Sequence, residues 1–165
     1  LFGGSHDPRG SGWACYGCAK PATGSCPAMR DATADDIERI IWLGARMADK
    51  AKLATGYDPD SVRATLAHLI DNPDGILIVS ETGMIGGMCY PHPFNHKAKI
   101  GQEFFWYSEG NDGPDLLKAA EQRAKECGAS HWTMLAQETM RPETVGRYYG
   151  RQGYKPLERS YIKEV

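Results

Sequence analysis

Long apolar segments are missing from this chain. Its longest apolar runs lie at 76–79 and 104–107, whereas a bilayer-spanning helix needs about 20 apolar residues. Residues 1–8 also lack the basic end and the apolar stretch of a secretory signal. We therefore expect no membrane segment and no export, and the sequence predicts a cytoplasmic protein.

Charge of one sign is not concentrated anywhere. The net charge is −2, and no run of five like charges occurs. Residues 29–165 hold 17 basic and 20 acidic residues, because Arg9, Lys20 and Asp7 precede them among the 19 basic and 21 acidic residues of the chain. Nucleic-acid binding usually leaves a basic stripe on the protein. We therefore expect no nucleic-acid partner.

Cysteines are few and odd in number, and the five are Cys15, Cys18, Cys26, Cys89 and Cys127. An odd count in a chain without a secretory signal favours free thiols over a disulfide framework. Structural zinc sites usually present two close pairs of ligands. Here only Cys15 and Cys18 form such a pair, with Cys26 and the distant His6 as further candidates. We expect no metal site, and zinc on these residues stays an alternative.

The composition changes near residue 28. Residues 1–28 carry six glycines and three cysteines, and Leu1 is the single Leu, Ile or Val among them. Such a segment cannot build a hydrophobic core. We predict that 1–28 is a low-complexity N-terminal extension, either a translated leader or an added segment. One domain is predicted over 29–165, a length that can bury a core of its own.

The first part of this domain reads as two helices followed by three strands. Apolar residues at helical spacing follow the capping residues Thr33 and Asp58. Runs of β-branched and apolar residues come next, separated by turn residues. We predict helices at about 35–49 and 58–71, and an antiparallel meander of strands at 76–80, 84–90 and 100–108.

The second part alternates helices with strands. The sequence predicts a helix that ends at Gly128, a strand at 131–136, a helix that begins at Pro142 and a strand at 154–162. Strand–helix–strand units added to a meander predict an α/β fold, in which helices flank both faces of a mixed sheet.

The segment 142–154 ends this pattern with a pair of tyrosines. Pro142 suits the first helical turn, and Gly153 suits the left-handed position just past a helix end. Tyr148 and Tyr149 share the helix with Val145 at i, i+3, i+4 spacing. Two such aromatic residues are by themselves more typical of a core than of a catalytic site.

Two segments carry a resemblance to a known family. The opening 29–37, MRDATADDI, looks like an entry into a first strand and helix, and 144–154 looks like a helix with an aromatic–tyrosine pair four residues before a Gly-aromatic. With the order of the elements, residues 29–165 resemble the GNAT superfamily of acyl-coenzyme A-dependent N-acetyltransferases, in its small stand-alone bacterial and phage type. This resemblance implies acetyl-coenzyme A as co-substrate and allows a homodimer.

The resemblance also implies where coenzyme A binds. The family pattern Gln/Arg-x-x-Gly-x-Gly/Ala precedes the third helix, whose N–H groups receive the pyrophosphate. Here Ser108 stands at the Gln/Arg position, Asn111 at the first small position and Gly113 at the last, while Glu109, Asp112 and Asp115 add negative charge. The family pairs the preceding strand with the pantetheine arm. The implied binding residues are Phe105, Trp106, Tyr107, Ser108, Gly110, Asn111, Asp112, Gly113 and Leu116.

Attack of an amine on a thioester needs a base for the amine and an acid for the leaving thiolate. The resemblance makes Tyr149 the general acid. Glu103, which precedes an aromatic run on the third strand, is the candidate base. His92 and His96 offer a further base or an acceptor pocket.

The leading function is therefore transfer of an acetyl group from acetyl-coenzyme A to a primary amine of a small molecule or peptide. The alternative is a catalytically silent GNAT-like module that binds a ligand or a partner. A toxin-type acetyltransferase acting on aminoacyl-tRNA is disfavoured, because residues 29–165 carry no excess of basic residues.

Overall fold

The computed structural model describes residues 29–165. They form one five-stranded sheet in the order β1-β2-β3-β4-β5, antiparallel except for the parallel pair β4–β5. The elements along the chain are β1 (Arg30–Asp31), a 3₁₀ turn (Ala34–Asp36), α1 (Ile37–Ala51), α2 (Pro59–Asp71), β2 (Gly75–Val79), β3 (Gly83–His92), β4 (Asn95–Ser108), α3 (Gly113–Glu126), β5 (His131–Thr133) and α4 (Pro142–Arg151).

Each face of the sheet carries its own apolar core. Alternate strand residues point to opposite faces, so Leu77 and Val79 of β2 pack with α1 and α2, while Ile76 and Ile78 pack with α3. All five residues of β2 are buried. The predicted mixed sheet with helices on both faces is confirmed.

The helix caps predicted at Asp58, Gly128 and Gly153 are confirmed, whereas α1 spans Ile37–Ala51 instead of the predicted 35–49. Asp58 caps α2, where its carboxylate accepts a hydrogen bond from the Ser61 N–H at 3.0 Å. Gly128 and Gly153 follow α3 and α4 with φ of +80° and +90°, a region in which glycine has no steric penalty.

Strand β4 has two irregularities that shape the rest of the molecule. Its register with β3 shifts between Gly86 and Gly87, because Gly87 pairs with Glu103 and Gly86 pairs with Phe105. Phe104 is therefore the extra residue of a β-bulge. On the other side, β4 pairs with β5 only over residues 100–102. Beyond Gln102, this edge of β4 has no neighbouring strand among the described residues.

Three predicted elements differ from the structure. The predicted strand 131–136 spans only His131–Thr133, and the predicted loop 91–96 shortens to a tight hairpin turn between β3 and β4. The predicted strand 154–162 is wrong: Tyr154 turns inward and donates to Glu121 on α3, and the chain then runs without a strand partner. Leu157, Tyr161 and Ile162 are consequently 77%, 89% and 74% exposed.

Among residues 29–165, no helix combines the length and the apolar character needed to cross a bilayer.

Candidate active site

Glu103 lies on β4 at the bulge, with its carboxylate buried. The residue is 5% exposed, and Oε2 accepts a hydrogen bond from the Leu135 N–H at 2.8 Å. Burial disfavours the charged carboxylate and raises the pKa of Glu103 to about 7, although the hydrogen bond from Leu135 opposes this shift. Glu103 is thus a carboxylate that titrates near neutral pH.

Tyr149 on α4 also forms a hydrogen bond with the main chain of Leu135. Its hydroxyl donates to the Leu135 carbonyl at 2.9 Å. The ring contacts Trp106, Tyr148 and Tyr154, with centroids 5.5–6.1 Å apart. Burial, with a smaller contribution from the Glu103 charge, raises the pKa of Tyr149 above its ordinary value. The phenol is therefore protonated at neutral pH. The main chain of Leu135 lies between this phenol and the carboxylate of Glu103.

The free edge of β4 begins at these two side chains. The Glu109 N–H donates to the Thr82 carbonyl at 3.0 Å, so Glu109 directs its N–H group toward the turn that precedes β3. Because backbone groups alternate in direction along an antiparallel strand, the N–H and C=O groups of Trp106 and Ser108 point away from β3. They face the edge that β5 leaves open.

A groove accompanies this edge between α3 and α4. It measures about 270 Å³ and is lined by Trp106, Pro114, Thr144, Val145 and Tyr148. The Trp106 indole forms one side of it and donates through Nε1 to the Gly113 carbonyl at 3.1 Å. The groove thus leads from Tyr148, the neighbour of Tyr149 on α4, to Pro114 at the beginning of α3.

The loop from Ser108 to Gly113 is held by the buried carboxylate of Asp112. This residue is 5% exposed and accepts from the Thr82 hydroxyl at 2.8 Å and from the Ser108 hydroxyl. Burial opposes ionisation, but the hydrogen bonds from Ser108, Ser80 and Thr82 outweigh it and lower the pKa of Asp112. The carboxylate therefore fixes the loop and does not face the groove as a free charge.

The loop leaves backbone donors available. The N–H groups of Asn111, Asp112 and Gly113 donate to no oxygen of the described residues, whereas the Gly110 N–H donates to the Ser108 hydroxyl at 3.0 Å. Gly110 lies close to Thr82, since a Cβ there would stand 2.2 Å from the Thr82 hydroxyl oxygen. Free N–H groups at a helix N-terminus are suited to binding an anion such as a phosphate.

The other acidic residues near the loop are neutralised by partners. Arg46 on α1 forms an ion pair with Glu109, whose pKa is lowered by this contact. Lys50 donates to the Tyr107 hydroxyl at 2.7 Å, and Tyr107 donates to Glu109 at 3.2 Å. Asp115 lies 3.8 Å from Lys118. The negative charge expected from the sequence is therefore largely compensated.

Some residues predicted from the sequence are placed differently. Phe105 points to the α1–α2 face against Gly86, and Leu116 is fully buried with its N–H bonded to the Asp112 carbonyl. Leu116 thus presents no free donor to a ligand. His92 lies at the end of β3, five residues beyond Gly87, the partner of Glu103, and His96 lies at the start of β4, seven residues before Glu103. These separations are roughly 17 and 24 Å along a strand.

Within 29–165, no group of three or more His, Cys, Asp or Glu side chains is arranged to hold a metal ion. Cys89 and Cys127 are free thiols, and Cys89 is buried. The candidate zinc ligands Cys15, Cys18, Cys26 and His6 lie outside the described residues.

The contacts of Leu135 with Glu103 and Tyr149, and that of Thr82 with Asp112, could not be predicted from the sequence. Leu135 acts through its main chain, so its side chain carries no signal. Thr82 lies in the β2–β3 turn, and its contact with Asp112 spans 30 positions of sequence. No pattern of spacing connects two such residues.

Comparison with solved structures places this arrangement in a known fold. A predicted acetyltransferase from Clostridium acetobutylicum, solved with acetyl-CoA, superposes with a TM-score of 0.66 at 15% identity over 83% of this chain and 95% of that one. A GCN5-related N-acetyltransferase from Ralstonia eutropha gives 0.62 at 22% identity, over 83% and 97%. Glucosamine-6-phosphate N-acetyltransferase from Arabidopsis thaliana gives 0.64 at 11% identity, over 83% and 97%.

No protein-family model and no curated protein matches the chain. At these identities the superpositions establish the fold. The described part of the chain has the fold of the GCN5-related N-acetyltransferases, as the resemblance in sequence predicted.

Proposed function

We propose that the protein transfers the acetyl group of acetyl-coenzyme A to a primary amine. The observation that carries this proposal is the free edge of β4, which runs from Glu103 and Tyr149 at one end to the free N–H groups before α3 at the other. An extended thioester with a phosphate at its far end matches this edge in both chemistry and direction.

The residues divide the binding task. The outward backbone groups of Trp106 and Ser108 would pair with the amides of the pantetheine arm, and the apolar groove beside Trp106 would take its methylene groups. The N–H groups of Asn111, Asp112 and Gly113 would hold the pyrophosphate. Gly110 would serve this site by letting the loop approach Thr82.

Glu103 and Tyr149 divide the chemistry. The amine nitrogen attacks the acetyl carbonyl carbon, and Glu103 accepts the proton that this nitrogen loses, directly or through water. The carbon–sulfur bond then breaks, and Tyr149 protonates the departing thiolate. A base with a pKa of about 7 suits neutral pH, and the phenol is protonated there. In this step the Tyr149 hydroxyl would give up its hydrogen bond to the Leu135 carbonyl and donate to the sulfur instead.

A silent binding module is the second candidate. It is favoured by one observation: Tyr149 and Glu103 both already bond the main chain of Leu135, as purely structural residues do. In that case the fold would hold coenzyme A or a related ligand without chemistry.

Heating the protein with and without acetyl-coenzyme A tests binding. A ligand at 100 times its dissociation constant adds about 2.7 kcal/mol of stability, so a clear rise in melting temperature is expected. Thiol release with a panel of primary amines then tests transfer. No thermal shift would contradict acetyl transfer and favour a silent module that binds another ligand or a partner. A shift without thiol release for any amine would favour a silent module that binds coenzyme A.

A further inference from the structure

A second cavity lies on the opposite face of the sheet from the groove. It measures about 380 Å³ and is bounded by α1, α2, the segment between them and the bulged part of β4. Phe104, the extra residue of the bulge, lines it and directly follows Glu103 in the chain. The cavity therefore ends at the point where β4 loses its neighbouring strand.

The lining of this cavity is mostly apolar. Its apolar side chains are Ile40, Met47, Leu53, Val62, Met84, Phe104 and Phe105. Phe104 keeps 42% of its surface exposed although it is a large apolar residue. A volume of this size lies at the small end of ligand pockets, so it fits one ring or one branched chain with a short arm.

Four of the five polar side chains of the lining, Tyr57, Asp58, Ser61 and Thr65, already form hydrogen bonds within the protein. The Tyr57 hydroxyl donates to the Ile41 carbonyl at 2.7 Å. Gly44 leaves room for this hydroxyl, because a Cβ at that position would stand 2.8 Å from the Tyr57 oxygen. The Thr65 hydroxyl donates to the Ser61 carbonyl at 3.0 Å. A polar ligand body would lose its water without gaining these partners, which is costly.

Charge in the lining is limited to one carboxylate. Asp58 is its single Asp, Glu, Lys, Arg or His, and this residue already accepts from Ser61 as the cap of α2. A polycationic sugar needs several carboxylates, and a phosphorylated sugar needs a cation. The lining offers neither.

Resting on the acetyl transfer proposed above, we propose that this cavity holds the body of the acceptor, and that the acceptor is a primary amine on a single aromatic or branched aliphatic group. The apolar body lies between α1 and α2 on one face. Its amine reaches past Phe104, around the free edge of β4, toward Glu103 on the other face.

The acceptor class is tested with three amines in the thiol-release assay. We expect kcat/KM for 2-phenylethylamine to exceed that for kanamycin or glucosamine 6-phosphate by at least about tenfold, since burial of apolar groups in a matching pocket gives discrimination of this order. Equal or faster turnover of either sugar amine would overturn this acceptor class and leave acetyl transfer intact.

The location is tested by filling the cavity. Thr65 is an exposed position of α2 that lines the cavity, and its neighbour Ala64 is exposed but outside the lining. In calorimetric titrations, Thr65→Phe should weaken binding of 2-phenylethylamine by about tenfold or more. Ala64→Phe should not, and both variants should bind acetyl-coenzyme A like wild type.

These titrations separate the two proposals. Absence of 2-phenylethylamine binding, or equal binding by Thr65→Phe, would overturn the cavity as the acceptor site while thiol release judges the transfer independently. If wild type bound 2-phenylethylamine, Thr65→Phe abolished this binding and no amine gave thiol release, the cavity would be an amine site and acetyl transfer would be contradicted.

Discussion

At the scale of single residues, the Tyr149 hydroxyl is the group on which the proposed transfer depends most. Tyr149→Phe keeps the ring and its contacts with Trp106, so affinity for acetyl-coenzyme A should not change. Turnover should fall by about 10²–10⁴-fold if proton delivery limits the rate. Loss of the bond to the Leu135 carbonyl should also lower the free energy of unfolding by about 1 kcal/mol.

Tyr148→Phe is the matched control for this variant. Tyr148 lines the groove beside Trp106 and lies on the same helix, but its hydroxyl is not bonded to Leu135. Its turnover should stay much closer to wild type. If the two variants released thiol equally fast, Tyr149 would be a packing residue only.

Glu103 should set the pH dependence of the reaction. With a pKa of about 7, its base form is lost as the pH falls, so kcat/KM should decline about tenfold per pH unit below 7. Glu103→Gln removes the base but retains a carbonyl that can accept from the Leu135 N–H. In this variant, kcat/KM should no longer decline as the pH falls below 7. An unchanged decline would mean that another group causes it.

The same titration should appear in stability. The folded pKa of about 7 lies above the ordinary value of 4.5, so the folded protein binds more protons than the unfolded chain between these values. The contribution of Glu103 to the free energy of unfolding is therefore fully present below about pH 4.5 and is lost as the pH rises to 7. Denaturant titrations should show wild type losing stability relative to Glu103→Gln over this window.

At the scale of elements, the loop before α3 is predicted to depend on its internal anchor. Simple electrostatics would favour Asp112→Asn for phosphate binding, because one negative charge is removed. The structure instead gives the Asp112 carboxylate bonds to Thr82 and Ser108. We expect Asp112→Asn to loosen the loop and weaken acetyl-coenzyme A binding several-fold, as about 1 kcal/mol per lost bond implies.

Asp115→Asn removes the same charge without touching the anchor, since Asp115 is exposed and only 3.8 Å from Lys118. Calorimetry should find its affinity equal to or slightly above wild type. A gain in affinity for both variants would show that charge outweighs loop geometry at this site.

Helices and the meander could be predicted from the sequence because their signals are local. Asp58 precedes the first residue of α2, and Gly128 follows the end of α3, as expected. The last strand failed because a strand also needs a partner. Residues 154–162 have strand-like composition, yet β5 stops at Thr133 and Tyr154 turns toward Glu121.

The site was predictable only in part for the same reason. The sequence indicated Glu103, Tyr149 and the loop 108–113, because residue type and the resemblance carry that information. It could not show that Leu135 joins Glu103 to Tyr149, since this contact is made by main-chain atoms over separations of 32 and 14 positions.

At the scale of the whole molecule, the sheet separates two apolar cores and two cavities. The groove beside Trp106 lies on the α3–α4 face, and the cavity beside Phe104 lies on the α1–α2 face. In the proposed transfer, ligands bound on the two faces would meet where β4 continues beyond its pairing with β5. The sheet itself would therefore keep the donor site and the acceptor site of the proposed transfer apart.

The described residues are also predicted to be sufficient for folding. Met29 packs against the core on the α3 face, and Arg30 forms a two-point ion pair with Asp36 at 2.7 and 2.8 Å. Asp36 in turn accepts from the Thr33 N–H and starts α1. This ion pair holds the pKa of Asp36 at about 2, so its contribution to stability is present above the ordinary pKa of 3.8 and is lost only in strong acid.

A chain that begins at Met29 should accordingly melt at the same temperature as the full chain and bind acetyl-coenzyme A with the same affinity. Calorimetry and thermal melting on the two chains give the comparison, and zinc analysis of the full chain with Cys15→Ser gives the control. Loss of folding on deletion, or stoichiometric zinc that disappears with Cys15→Ser, would mean that residues 1–28 contribute structure, because a bound metal stabilises only a segment that folds around it.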